Sequence, residues 1–201
     1  MATEYSRYIT FDGIDASGKG TLLQLLSEKY RVSRIQAPPK YLSKFRKCAD
    51  DSNLAIRFLF YSLGNILTDR QVVRAYSQSG SEDVLLQDRS WLTTLTAHEL
   101  RGLPDFWLQF GKRMAETCRT PDTTLVIHVD EEERLARLHN RNFITTADRE
   151  NIVFANRIEG GYAKWAQSLR WDITTFDNTC HTPETASQML ATQLNLRKRH
   201  D

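Results

Sequence analysis

The residues best suited to chemistry stand together near the N-terminus: Phe11-Asp12-Gly13-Ile14-Asp15-Ala16-Ser17-Gly18-Lys19-Gly20-Thr21. The spacing G-x-x-x-x-G-K runs from Gly13 to Lys19. It follows a short aliphatic run and precedes a helical pattern, the context in which such a loop cradles phosphate. Glycines let the backbone wrap an anion without Cβ clashes. The N–H groups from Gly13 through Ser17, Gly18 and Gly20, with the helix N-terminus, would point at the phosphates of ATP. Lys19 can reach the β and γ oxygens and offset charge that develops on transfer. Gly20 stands where Ser or Thr is usual, so the hydroxyl for Mg²⁺ is assigned to Thr21. A plain glycine turn is the competing reading; the complete pattern in its proper context favours the phosphate cradle.

A second group follows the third aliphatic run: Asp88-Arg89-Ser90-Trp91. In open α/β sheets ligands bind at the carboxyl ends of strands. Asp88 can hold a metal's water shell there, and Arg89 can clamp an acceptor phosphate or stabilise transferred charge. A structural ion pair capping the next helix is the alternative. Trp91 is a candidate for the acceptor pocket wall, with core packing as its competing role. Further on, Arg134, Arg137 and Arg141 recur at helical spacing and share a face, while Arg149 lies between Asp148 and Glu150. Asn142 to Ala147 reads as a loop. The segment from about 137 to 150 is therefore read as an arginine-bearing lid over ATP, against the alternative of a solvated basic helix face.

These groups need a scaffold, and the pattern around them supplies one. Strands are expected at Tyr8–Phe11, Val32–Gln36, Val84–Gln87, Leu125–Val129 and Ile173–Phe176, alternating with helical segments, as in an α/β fold with a parallel sheet. Helix signals include Leu22, Leu23, Leu25 and Leu26 on one broad stripe and Thr182-Pro183 as a cap with proline at the first helical position. Asp130 with Glu133 reads as a second capping pair, and Ser77 to Ser81 as a loop into the third strand. His128, inside an expected buried strand, reads as a hydrogen-bonded core residue. The 201 residues suit one domain spanning 1–201, and 40% hydrophobic content suffices for its core. A net charge of +2 gives no reason to expect a nucleic-acid polymer as partner. No apolar stretch is long enough to span a bilayer. Three widely spaced cysteines, Cys48, Cys118 and Cys180, make neither a zinc pattern nor a disulfide framework, so a reducing cytoplasm is expected.

The chain resembles the thymidylate kinase family over most of its length. The resemblance rests on the Phe11–Thr21 loop, the helix around Phe58-Leu59-Phe60-Tyr61 and the Asp88-Arg89 pair. It continues through Leu135-Ala136-Arg137-Leu138, Asp148-Arg149, Phe154, Arg157 and Gly161-Tyr162. It implies a P-loop kinase fold, a five-stranded parallel sheet flanked by helices, often as a homodimer, transferring phosphate from ATP with Mg²⁺ to a nucleotide such as dTMP. Carried over, Gly18 and Lys19 would bind ATP phosphates, and Thr21 and Asp88 would serve Mg²⁺. Asp15 would lie near the acceptor sugar and phosphate, Phe60 would stack on its base, and Arg89 would meet its phosphate. Ala16 leaves the loop without an arginine, so the resemblance assigns the catalytic cation to Arg137, Arg141 or Arg149. Two departures fall on acceptor contacts: Gln36-Ala37-Pro38 replaces Arg-Glu-Pro, and Gly64 takes the place of an arginine. The acceptor therefore stays open. The loop words also resemble polyphosphate-dependent nucleotide kinases and deoxynucleoside kinases, and a non-catalytic nucleotide-binding module is the alternative from another class.

Overall fold

The computed structural model describes residues 7–78, 84–140 and 146–199. Five strands, β1 (Tyr8–Asp12), β2 (Val32–Gln36), β3 (Val84–Asp88), β4 (Thr123–His128) and β5 (Ile173–Asp177), pair in parallel in the order β2-β3-β1-β4-β5. Each begins and ends within two residues of its expected run. Side chains alternate across the sheet, as strand geometry requires. Ile9, Phe11, Leu86, Leu125 and Ile127 face a core made with α1 (Lys19–Lys29) and α8 (Pro183–Gln193). On the other face Val126 joins a second core with α3 (Leu54–Gln78), α4 (Trp91–Leu100), α5 (Asp105–Glu116) and α7 (Thr146–Leu169). The remaining helices are α2 (Ser43–Asp50), after a 3-10 turn at Lys40–Leu42, and α6 (Glu131–His139).

The chain leaves β1 through α1 on one face and leaves the adjacent β3 through α4 on the other. Diverging connections from neighbouring parallel strands open a crevice at their carboxyl ends. The glycine loop and the Asp88-Arg89 pair both lie at that crevice. One polar strut crosses the sheet interior, where Thr10 Oγ1 donates to Thr124 Oγ1 at 2.9 Å.

Local chemistry explains where elements depart from expectation. Thr182 caps α8 as read, accepting from Thr185 N at 3.3 Å, with Pro183 opening the helix. Asp130 holds the N-cap position of α6, yet its carboxylate goes to His128 Nε2 at 3.3 Å. Glu133 pairs with Arg137 at 2.7 Å. Charged partners have displaced the backbone capping bonds, while three acidic residues in the first turn still complement the helix dipole. His128 is not a core residue: its side chain is 31% exposed and its Nδ1 meets Glu159, which raises the imidazole pKa. Ser77 and Gln78 continue α3 instead of opening the loop, and Thr146 and Ala147 already belong to α7. The rest of those two expected loops lies outside the described residues.

Candidate active site

Two glycines are required by the backbone of the loop. Gly13 leaves β1 at φ 139°, and a Cβ there would lie 2.5 Å from Ile127 O. Gly18 caps α1 at φ 91°, and a Cβ would lie 2.5 Å from Asn178 Nδ2. Left-handed backbone and close neighbours together exclude a side chain at both. Lys19 folds back across the loop, donating to Gly13 O at 2.7 Å and Ile14 O at 2.9 Å, with Ser17 Oγ at 3.4 Å. It is buried, and the cation loses its water. Burial, and then the nearby Arg89 guanidinium, lower its pKa to about 8.

Arg89 holds a left-handed φ of 67°, uncommon for a residue with a Cβ. Its neighbours fix that conformation: Arg89 N donates to Phe11 O at 2.9 Å, and Gln87 Nε2 donates to Arg89 O at 2.8 Å. Gln87 is held in turn by the Tyr8 hydroxyl at 2.7 Å. The turned backbone sends the guanidinium to Asp15, whose carboxylate holds the Arg89 pKa above its usual range. Asp88 pairs with Arg34 at 2.9 Å. Asp12, fully buried, accepts from Ser90 N at 3.0 Å, Ser90 Oγ at 2.6 Å and Thr93 Oγ1 at 2.5 Å, which ties the end of β1 to the start of α4. The charge is thereby compensated by three donors at a helix N-terminus.

Three spaces meet here. A polar groove of about 550 Å³ runs over Lys19, Thr21 and Asp88. A cleft of about 620 Å³ extends from Thr21 between Arg137, Asn178 and His181. A cavity lies between α3 and α4 and shares Asp15 and Arg89 with the groove. Arg137 braces the cleft: it donates to Asn178 O at 2.7 Å and to Ser17 O at 3.4 Å. Asn178 Nδ2 donates to Ser17 O at 2.8 Å, so its Oδ1 is the free acceptor, buried and without a partner among the described residues. Two phosphate-scale clefts joined at one cationic turn suit a donor nucleotide and an acceptor lying end to end.

The family model for thymidylate kinase matches residues 11–188. The chain belongs to the thymidylate kinase family. The family is one of nucleotide kinases, which are phosphotransferases. Human mitochondrial UMP-CMP kinase 2 is 30% identical over 163 residues, which is 78% of this chain and 36% of that relative. The chain thus spans about a third of the length of UMP-CMP kinase 2. The thymidylate kinase of Maridesulfovibrio salexigens is 25% identical over 197 residues, covering 88% of this chain and 89% of its own. Two solved thymidylate kinase structures share the fold. The Candida albicans enzyme gives a TM-score of 0.70 at 16% identity, covering 98% of this chain and 96% of its own. The Ehrlichia chaffeensis protein gives 0.65 at 17%, covering 95% and 99%.

Within this member of the thymidylate kinase family, Lys19, Thr21, Asp15, Asp88 and Arg89 come together at the groove, and Arg137 reaches the loop. Phe60 does not line the cavity. Its ring is half-buried and meets Tyr61 edge-on at 5.3 Å, while Tyr61 forms the wall. Trp91 is buried in the α4 core beside Leu92 and Leu95 and lines none of the three spaces. Arg141, and the side chain of Arg149 on α7, lie outside the described residues. Sequence reasoning missed Asn178 and the Arg57, Tyr61, Asn65 and His98 wall. The signal for the wall was available: Arg57, Tyr61 and Asn65 are spaced at i, i+4, i+8 and share one face of α3.

Proposed function

We propose that this chain transfers the terminal phosphoryl group of ATP to the phosphate of a nucleoside monophosphate. The observation that carries the reading is the shared Asp15–Arg89 turn, which links the Lys19 groove to a second cavity rimmed by Arg46, Arg57 and Arg101. An acceptor phosphate oxygen attacks the γ-phosphorus, and the bond to the β–γ bridging oxygen breaks to release ADP. Arg89 would hold the acceptor phosphate, and Lys19 would offset charge on the β and γ oxygens. Tyr61, whose hydroxyl is fixed on Asp50 at 2.8 Å, is the stacking surface for the acceptor base. Asn178 Oδ1 suits the amino group of adenine in the donor cleft.

The groove fits Mg²⁺. Thr21 and Asp88 offer hard oxygen donors, with Asp15 beside them. Among the described residues no cluster of three or more His, Cys, Asp or Glu forms an all-protein cage. Mg²⁺ is commonly held by one or two carboxylates plus phosphate and water, the donor set available here. When bound it would neutralise the nucleotide phosphates. The lid segment, about 137–150, would bring Arg141 and Arg149 onto the transferring group, with Arg137 already on the loop.

A homodimer is part of the same reading. Ile56, Leu59 and Leu63 on α3 and Phe106 and Phe110 on the adjoining α5 are each at least 41% exposed. A second copy of the chain would cover this apolar face. The reading treats 1–201 as one catalytic domain. Three free cysteines support a reducing compartment such as the cytoplasm.

The deciding experiment incubates the protein with Mg²⁺-ATP and a panel of nucleoside monophosphates and nucleosides, following ADP release, with polyphosphate as an alternative donor. ATP-dependent turnover of a monophosphate is expected. Turnover of nucleosides alone, or with polyphosphate alone, would refute the reading.

A further inference from the structure

Two buried acceptors on the cavity wall lack hydrogens to accept. Asn65 is 5% exposed and His98 is 3% exposed, and both line the cavity between α3 and α4. Asn65 Nδ2 donates to Tyr61 O at 3.0 Å and to Thr94 Oγ1 at 2.8 Å. A backbone carbonyl can only accept, so the amide orientation is fixed and Oδ1 is the remaining acceptor. Among the described residues Oδ1 has no partner. His98 Nδ1 lies 2.7 Å from Thr94 O, again a carbonyl, so Nδ1 carries the hydrogen. Nε2 is then a bare lone pair, also buried and without a partner among the described residues. Burial pushes the His98 pKa down to about 4, which keeps the ring neutral and Nε2 an acceptor at neutral pH. Both side chains are anchored on Thr94, beside the Tyr61 ring, whose centroid lies 6.0 Å from the imidazole.

Buried polar groups in folded proteins are almost always paired, so two orphans in one cavity call for a ligand that donates twice. We propose that Asn65 Oδ1 and His98 Nε2 read an exocyclic amine on the acceptor base, selecting cytosine over uracil and thymine. The inference rests on the nucleoside monophosphate kinase reading and specifies its acceptor. The cytosine amine carries two hydrogens, one for each acceptor. Uracil and thymine present a carbonyl oxygen at the same ring position, which repels both acceptors and leaves them unpaired. The Arg101 guanidinium, three residues beyond His98, lines the same cavity and can only donate. It suits the ring nitrogen and carbonyl that cytosine offers beside its amine. A site built to pair with a donor rejects an analogue lacking it far more strongly than an apolar pocket rejects a misfit.

The test measures binding of CMP, UMP, dTMP and the CMP analogue with hydrogen in place of the amine, by calorimetry on the intact protein. Turnover with Mg²⁺-ATP is followed in parallel. CMP should bind roughly tenfold or more tightly than UMP, dTMP and the analogue lacking the amine. Asn65→Leu and His98→Asn should each bring the CMP-to-UMP ratio to within about threefold, with melting curves recorded for each. Asn at 98 keeps a donor near Thr94 O and removes the outer acceptor. The analogue removes the amine without touching the protein, so the inference is tested even if a variant fails to fold. UMP or dTMP bound as tightly as CMP, or an analogue indistinguishable from CMP, would overturn the base assignment while leaving phosphoryl transfer intact. Absence of binding by all the pyrimidine monophosphates would overturn the base assignment, and failure of the whole monophosphate panel as well would overturn the kinase reading.

Discussion

Lys19 gives a quantitative test of the phosphate groove through pH. Its ammonium is buried among loop carbonyls, and its pKa falls from 10.5 to about 8. A polyphosphate placed on it would restore the charged form and return the pKa to its ordinary range or above. ATP binding must then take up a proton wherever the free protein has lost one. With a free value near 8, uptake should be about 0.1 proton per ATP at about pH 7, about 0.5 at about pH 8 and about 0.9 at about pH 9. The apparent affinity should weaken roughly tenfold per pH unit above about pH 8. ATP itself is fully ionised over the upper part of that range, so the uptake reports on the protein. Calorimetry in buffers of different ionisation enthalpy measures it directly, and Lys19→Met should abolish it. Buffer-independent heats at about pH 9 in the wild-type protein would refute the assignment of Lys19 to the phosphates.

The same displacement governs stability. Between about pH 8 and pH 10.5 the unfolded chain binds the proton and the folded chain does not, so stability rises with pH across that window. Below it both states are charged and the burial cost, roughly 3 kcal/mol, is fully present. Lys19→Met removes that cost together with the bonds to Gly13 O and Ile14 O, so its melting temperature near pH 7 should not collapse. Turnover should nonetheless fall by roughly 10²-fold or more.

Four further outcomes are expected. Tyr61→Ala should raise the acceptor KM by roughly tenfold or more with the ATP KM little changed, whereas Phe60→Ala should leave the acceptor KM near normal; steady-state kinetics on both variants, with melting controls, separates them. Gly20→Thr adds a hydroxyl where a Cβ meets nothing within 4 Å, so the variant should fold and reach half-maximal rate at lower Mg²⁺, read from a metal titration. At least one of Arg137→Ala, Arg141→Ala and Arg149→Ala should lower kcat by roughly 10²-fold in single-turnover assays at saturating substrates. Gly64→Ala should destabilise by about 1–3 kcal/mol, read from denaturation curves, because its Cβ would meet Pro38 Cβ at 2.6 Å.

The sheet and the groove were legible because local chemistry determines them. Five short β-branched or aliphatic runs alternating with helical segments mark a parallel sheet, with β1, β3 and β4 buried at its centre and β2 and β5 at its edges. The G-x-x-x-x-G-K spacing carries its own geometry, since positive φ at Gly13 and Gly18 admits little else. Tertiary contact decides the rest. One residue along a helix is a rotation of about 100°, so the neighbours Phe60 and Tyr61 face differently, and only tertiary contact shows that Tyr61 lines the cavity. His128 was misread for a related reason: a side chain at a strand end can face core, cavity or solvent, and only neighbours decide.

The two departures on the acceptor side read in sequence as independent losses of arginine. The fold couples the segments in which they fall. A Cβ at Gly64 would lie 2.6 Å from Pro38 Cβ and 3.2 Å from Pro38 Cα, so the proline ring occupies the space that a side chain at 64 would need. The small residue on α3 and the proline after β2 therefore belong to one packing solution. Tyr61 and Asn65, on the same helix, turn instead to the cavity. The cations missing from the expected places are matched by Arg46, Arg57 and Arg101 around that cavity. Asp50 orients Arg57 at 3.4 Å and Arg46 at 3.7 Å while also accepting from Tyr61. One carboxylate therefore positions two arginines and the Tyr61 ring on the cavity wall, so Asp50→Asn should loosen all three together and raise the acceptor KM with the ATP KM little changed.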